Sequence, residues 1–296
     1  MPVGTFSVIF QQFINGLTIG GVYAMVAVGL TLVFGILRQM NWAHGELYML
    51  AGYALVITYT MMNVPYYVAV ILTVLMVAFV GLLYEWLVFR PVRGKPFVNA
   101  IVCSLGVSIF VWNIVLALFG GTPYKLATPL TGKIMRLGLF SISGQRLMTL
   151  VIGVMIIGAV YYWIQKTRGG RAMRAVEQDG EAARLMGVNI NRIAEITFAI
   201  GGGLAGLAGA LVGPIFVIEP RVGAWAVGKA FAVVVMGGMG SVMGSIFAGF
   251  TLGVIESLAI GFLATQYRDL IAYLMIIVIL WIRPQGLFGR IAQKGA

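Results

Sequence analysis

The sequence predicts an all-α fold: a polytopic transmembrane helical bundle of about eight or nine spans, with re-entrant or broken segments. Three observations carry this expectation. The 296 residues are 60% hydrophobic and only 10% charged, with mean hydropathy +0.99, whereas soluble domains carry about 25% charged residues. Apolar runs of 18 or more residues recur from end to end, each long enough for a helical crossing. The 20 Lys and Arg residues sit mostly at the ends of those runs, where membrane topology places them. Lipid offers no partner for backbone N–H and C=O groups, so a crossing must be a helix or part of a closed barrel. The strict polar/apolar alternation of barrel strands is absent from the long runs.

The elements follow in order. The first span, about 7–37, is too long for a simple crossing and contains Asn15, Gly16, Gly20 and Gly21, so it is expected to begin with a segment lying at the surface or folded back. The opening MPVGTFSVIFQQFINGL lacks a basic segment and a small-residue cleavage site, so it reads as the start of this span and not as a removed signal peptide. After Arg38, MNWAHGELYML opens span two at about 43–62, and Asn63 to Pro65 forms a turn. Span three covers about 66–89 and ends at RPVRGK; span four is about 97–119. The loop at 120–146 is rich in turn formers, and GLFSISG within it reads as one strand of a small hairpin. Span five is about 147–164, and a polar island, RAMRAVEQDGEAARLMGVNINR at 171–192, interrupts the apolar pattern. Span six is about 194–218, closed by Glu219, Pro220 and Arg221. The stretch 225–264 holds two crossings broken near GGMGSVMG, and a last span at about 267–283 leads into RPQGLFGRIAQKGA.

Charge sets the orientation. Arg38, RPVRGK, the loop 166–193 and the C-terminal tail hold 13 of the 20 basic residues, so they are expected to share the cytoplasmic face, with the N-terminus and the loop 120–146 outside. Small residues recur every fourth position at Gly237, Ser241, Ser245, Gly249, Gly253, Ser257 and Gly261, and at Gly201, Ala205, Gly209 and Gly213. Such ridges let helices approach closely in lipid, and packing inside one chain is their favoured use.

Composition also excludes functions. The net charge of +11 follows the span ends and not a single patch, so no nucleic acid is expected as a partner. A lone Cys103 cannot form an intramolecular disulfide. His44 is the one histidine, and with one nearby carboxylate it offers too few ligands for a metal. No Ser/His, Cys/His or paired-carboxylate constellation supports an intramembrane enzyme. The chain also lacks a G-x-x-x-x-G-K-[ST] phosphate loop, since its three Gly-Lys pairs continue with Pro96, Ile134 and Ala230.

Inside the island, Asp179 suits an N-cap, Glu181 lies in the first turn where the helix dipole favours an acid, and Gly187 suits a left-handed helix end. The result is a helix of about two turns from Gly180 to Met186, presenting Ala182, Ala183, Leu185 and Met186. Two turns are unstable alone, so this helix needs a partner surface. EAARLMG at 181–187 resembles the E-A-A-x-x-x-G loop of ABC importer permeases, although no Pro follows between Val188 and Asn191. NGLTIGGVYAMVAVGLTLVFGILRQMNWAHGELYMLAGY (15–53), RPVRGK, FAVVVMGGMGSVMGSIFAGFTLGVIES (231–257) and RPQGLFG (283–289) are similar to stretches of branched-chain amino acid permeases, in the same order and over nearly the whole chain.

The resemblance, closest to the shorter, first permease of the pair, implies a single transmembrane permease domain over 1–296 in the bacterial inner membrane. It implies a heterodimer with a second homologous permease, two cytoplasmic ABC ATPases and a periplasmic substrate-binding protein. No cofactor is expected in this chain, with ATP and Mg held by the ATPases. Asp179, Glu181, Ala182, Ala183, Leu185 and Gly187 would then form the coupling element that meets the ATPase. Urea, short amides and aromatic acids are carried by similar proteins and stand as alternative substrates, and an ATP-independent channel or carrier is a further alternative.

For the substrate path, weakly polar Asn15, Thr18 and Tyr23 on span one are candidates. Asn41, His44 and Glu46 read either as path lining or as a helix start at the interface, with Asn41 as N-cap and Trp42 as anchor; the second reading is favoured. Glu256, with Lys229, lies inside an apolar run, where a charge costs about 2.5–3.5 kcal/mol on insertion scales and so faces water or protein. It reads equally as a contact for a substrate ammonium and as a partner for a neighbouring helix. Glu85, near Arg90, reads as interfacial.

Overall fold

A computed structural model of the chain describes residues 2–137, 140–262 and 265–289. The helix α1 runs unbroken over Pro2–Leu37. Next come α2 (His44–Leu55), continued by a π-helical turn Val56–Met61, and α3 (Tyr66–Tyr84), continued by a π-helical turn Glu85–Phe89 and by α4 (Arg90–Val92). After α5 (Phe97–Phe119), a hairpin of β1 (Ile134–Leu137) and β2 (Phe140–Ser143) leads into α6 (Gly144–Lys166). Then follow α7 (Arg168–Gln178), α8 (Gly180–Leu185), α9 (Ile190–Val212), α10 (Val222–Gly237), α11 (Val242–Phe262) and α12 (Arg268–Ile282). The hairpin is antiparallel, with Ile134 opposite Ser143 and Leu137 opposite Phe140.

Among the described residues, six helices are long and apolar enough to cross a membrane: Ser7–Leu37, Tyr66–Val92, Phe97–Phe119, Gly144–Lys166, Ile190–Val212 and Val242–Phe262. The chain is therefore a multi-pass membrane protein. The expected eight or nine spans are not reproduced by this measure, because α2, α10 and α12 are only 12, 16 and 15 residues long.

The small-residue ridges are used inside the chain. α1 and α11 pack antiparallel with backbones nearly touching: a Cβ on Gly16 would stand 2.6 Å from Val254 Cα, and one on Gly20 2.7 Å from Phe250 Cα. Further along the same seam, Thr31 and Ser245 share a hydroxyl hydrogen bond of 2.5 Å. On the ridge of α9, a Cβ on Gly202 would lie 2.9 Å from the carbonyl of Val77 in α3. Such contacts replace the hydrophobic drive that lipid does not supply.

These pairings define two ends. At one end Gln11 of α1 brackets Ser141 of β2 with two hydrogen bonds of 2.9 and 2.8 Å, and the backbone of Tyr124 bridges Ile218 after α9. At the other, Arg93 donates to Asn191 at 2.6 Å, and Gly35 of α1 lies against Gly240 in the turn between α10 and α11.

That turn is a helix break. Gly238 has φ +101° and Gly240 φ +91°, conformations that suit glycine. The carbonyls of Met236 and Gly237 freed by the break accept from the backbone N–H groups of Leu287 and Phe288 at 2.9 and 3.0 Å. The RPQGLFG segment thus satisfies polar backbone that would otherwise be orphaned. Arg290 and Lys294 of the tail lie outside the described residues.

The link between α1 and α2 is re-entrant. It turns at Arg38, with φ +51°, and the Trp42 N–H donates to Ser104 Oγ at 3.2 Å. His44 then starts α2 against Gly29, eight residues before the end of α1, about 12 Å up that helix.

Several expectations are corrected. α1 has no folded-back start, since one helix of 36 residues suffices. α7 was not foreseen; it is amphipathic, burying Gly170, Met173 and Val176. Glu85, expected beside Arg90, is fully buried and pairs with Arg93.

Candidate functional site

The polar island folds as two helices standing at the end away from the hairpin. The Asp179 carboxylate caps α8 by accepting from the N–H groups of Glu181 and Ala182, both at 3.0 Å. Gly187 stops the helix at φ +84°, and the Val188 N–H returns to the Ala183 carbonyl at 3.0 Å. Ala183 does not join the presented face. It is buried in an apolar cluster with Ile36, Ile164, Met173, Val176 and Ile193, which supplies the partner surface that so short a helix requires. The outward face comprises Glu181, Ala182 and Arg184, with Leu185 and Met186, which are 88% and 85% exposed. Beside it, Ile36, Arg38, Arg93, Asp179 and Glu181 line a cleft. Leu185 and Met186 thus form an exposed apolar pair beside a charged cleft.

Nearer the hairpin lies a second site. Asn15, Thr18 and Tyr23 of α1 line one cleft, together with Arg146, Tyr48 and Trp225. Arg146 donates to Asn15 Oδ1 at 2.5 Å. Below the cleft, Tyr23 donates to Glu256 Oε2 at 2.7 Å and accepts from Arg268 at 2.8 Å. Glu256 also pairs with Lys229 at 2.5 Å and with Arg268 at 3.3 Å, and Lys229 reaches Asp269 at 2.8 Å. The Arg268 guanidinium lies over the Trp225 ring, 4.9 Å from its centroid. Helices α1, α10, α11 and α12 meet in this network, whose two acids balance two bases. Of the two readings of Glu256, the pairing to neighbouring helices is the one found.

Asn41, His44 and Glu46 do not reach that cleft. They form a separate buried group in the re-entrant link and at the start of α2. Glu46 accepts from Ser108 at 2.7 Å, while both amide atoms of Asn41 and the Nε2 of His44 have no hydrogen-bond partner among the described residues. Asn41 is not the N-cap of α2. Ala43 holds that position with no side-chain cap, and Asn41 contributes only its carbonyl, to the His44 N–H at 3.3 Å. Trp42 stacks on Phe231, with ring centroids 5.6 Å apart.

Arg146, Trp225 and Arg268 were not anticipated as site residues. Both arginines sit at the heads of apolar runs and look like ordinary interfacial charges. The closeness in sequence of Glu256, Arg268 and Asp269 was the available signal.

Comparison with known proteins follows the same lines. The family model described as branched-chain amino acid transport system / permease component matches residues 12–280. The chain is 34% identical over 294 residues to the high-affinity branched-chain amino acid transport system permease protein BraD of Pseudomonas aeruginosa, covering 95% of each. It is 34% identical over 296 residues to the permease protein LivH of Escherichia coli (strain K12), again covering 95% of each. Among solved structures it resembles PsaBC from Streptococcus pneumoniae in complex with Fab, with TM-score 0.50 and 15% identity over 92% of this chain and 91% of that one, a likeness of fold.

Proposed function

This chain belongs to the branched-chain amino acid transport permease family, and from that premise we propose that it is the membrane-spanning permease subunit of an ATP-driven importer of branched-chain amino acids. In this reading a binding protein outside the membrane delivers the amino acid, the cleft under the hairpin receives it, and two ATPases act from the cytoplasmic side on α8. The chain is a transport subunit; ATP and Mg belong to the ATPases. A second homologous permease completes the path, and the inner membrane is the location. In this reading the six long helices are joined by α2, α10 and α12 as shorter passes to make nine crossings in one permease domain over 1–296, hairpin outside and α8 inside.

The observation that carries the coupling role is α8 itself. It is a capped helix fixed through Ala183 to the core, yet it holds Leu185 and Met186 out to solvent. Its job in this reading is to turn ATPase closure into movement of the helices beneath it. The unpartnered amide of Asn41 and Nε2 of His44 support a place for the re-entrant link along the path, since buried polar groups without partners cost about 1–3 kcal/mol each.

The test is reconstitution of the complete transporter in proteoliposomes, with leucine uptake and ATP hydrolysis measured together. Gly187→Val forces a β-branched residue into a left-handed conformation, at a cost of about 1–2 kcal/mol, and Glu181→Lys reverses a charge in the first turn of α8. Both variants are expected to insert normally and to transport less leucine per ATP hydrolysed. Normal coupling in both would remove α8 from the mechanism.

A further inference from the structure

The cleft under the hairpin contains a cation that has no counter-ion among the described residues. All nine Asp and Glu residues of the chain lie in described segments, and among the described residues none pairs with Arg146. Arg146 is half-buried. Glu256 and Asp269 are already balanced by Lys229 and Arg268. Among the described residues the Arg146 side chain makes one polar contact, from Nη1 to Asn15 Oδ1, whereas a guanidinium carries five N–H donors. A charge withdrawn from water calls for an opposite charge. Apart from Thr18 the rest of the wall is apolar and aromatic, with Val22, Ile215, Phe216 and Trp225 prominent.

We propose that Arg146 binds the carboxylate of the transported amino acid on its way through the outer cleft, with the aliphatic side chain laid against Val22, Ile215, Phe216 and Trp225. The inference rests on the reading of the chain as an amino acid permease and adds a residue and a recognised group to it. A planar guanidinium meets a carboxylate through two parallel hydrogen bonds. An isolated anion of another kind, a phosphate above all, would satisfy the same cation but would leave the apolar wall unused.

The test uses the complete transporter in detergent without its binding protein, so that specificity at the permease is read directly. Trp225 fluorescence, isolated by difference against Trp225→Phe, is followed on adding L-leucine, 4-methylpentanoate (the carboxylate alone), 3-methylbutylamine (the amine alone) or inorganic phosphate. Leucine and 4-methylpentanoate are expected to change the signal, and the amine and phosphate to leave it unchanged. Arg146→Gln should raise the half-saturating concentration at least about tenfold, the loss of one charge-assisted contact, and Arg146→Lys should raise it less.

An equal response to the amine, a response to phosphate matching that to leucine, or an unshifted Arg146→Gln variant would each overturn the proposal. Failure of Arg146→Gln to assemble would leave the comparison of Arg146→Lys across the three organic probes to decide it. The premise is tested separately by leucine uptake into proteoliposomes with the binding protein present. No uptake by the unaltered transporter sinks the amino acid reading and this inference with it, whereas normal uptake with no carboxylate preference sinks the inference alone.

Discussion

Glu256 joins side chains from three other helices through Tyr23, Lys229 and Arg268, while being only 1% exposed itself. Removing its charge leaves Lys229 and Arg268 with Asp269, which is 60% exposed, as the one remaining acid in the network. Breaking a buried pair from one side costs about 3–5 kcal/mol, and the partial exposure of Arg268 and Asp269 places the expected loss near the lower end. Glu256→Gln should therefore lower resistance to unfolding in mixed detergent micelles by about 3 kcal/mol. The double variant Glu256→Gln with Lys229→Met, which removes the stranded cation as well, should recover part of that loss. Equal stability of Glu256→Gln and the unaltered chain would show that the network is solvated and structurally idle. The same residue shows where sequence reading stops. An acid in an apolar run announces that it needs a partner, but Arg268, one of its partners, sits at a helix head and looks like any interfacial charge. Arg146 was missed for the same reason. Positive charges at span ends are so common that one turned inward carries no separate mark.

The seam between α1 and α11 depends on what is missing from its glycines. A Cβ on Gly253 would run into the backbone of Gly20, whereas one on Gly158 of α6 would meet nothing within 4 Å. Gly253→Val should accordingly cost about 1–3 kcal/mol through overpacking, and Gly158→Val should stay within about 0.5 kcal/mol of the unaltered protein. Thermal unfolding in detergent separates the two, and similar losses at both sites would argue for a general intolerance of bulk in these helices and not for a specific seam. The four-residue spacing made the ridge visible in the sequence, because it marks one face of a helix. It could not say that the face meets α1, since periodicity fixes a direction and not a partner. α7 shows the opposite failure. Gly169, Gly170 and a run of charges hid a helix whose buried side is only Gly170, Met173 and Val176, too narrow a stripe to stand out beside long apolar spans. The re-entrant link was hidden too, because its turn uses Arg38 at positive φ, a residue with no turn preference, to reverse the chain.

Across the whole molecule, α1 is the element that touches both sites. Ile36 lies in the apolar cluster beneath α8, and Asn15 lines the outer cleft, so a single straight helix separates them by about 32 Å. That distance is comparable to the hydrocarbon thickness of a bilayer, about 30 Å, as expected for two sites on opposite sides of the membrane. The sign of the orientation comes from charge. Arg38, Arg90, Arg93, Lys95 and the basic residues of α7 and α8 gather at one end, which the positive-inside rule assigns to the cytoplasm. Two single cysteines in a Cys103→Ala background test this directly. Lys133 precedes the hairpin and is exposed, and Leu185 is exposed on α8. A membrane-impermeant maleimide added to spheroplasts should label Lys133→Cys at once and Leu185→Cys only after permeabilisation, with the order reversed in inside-out vesicles. Adding the ATPases to those vesicles should then shield Leu185→Cys and leave the labelling of a cysteine at Arg38, on the rim of the neighbouring cleft, less affected. Labelling of Leu185→Cys from outside would invert the molecule. It would also move α8 away from the side on which the ATPases work.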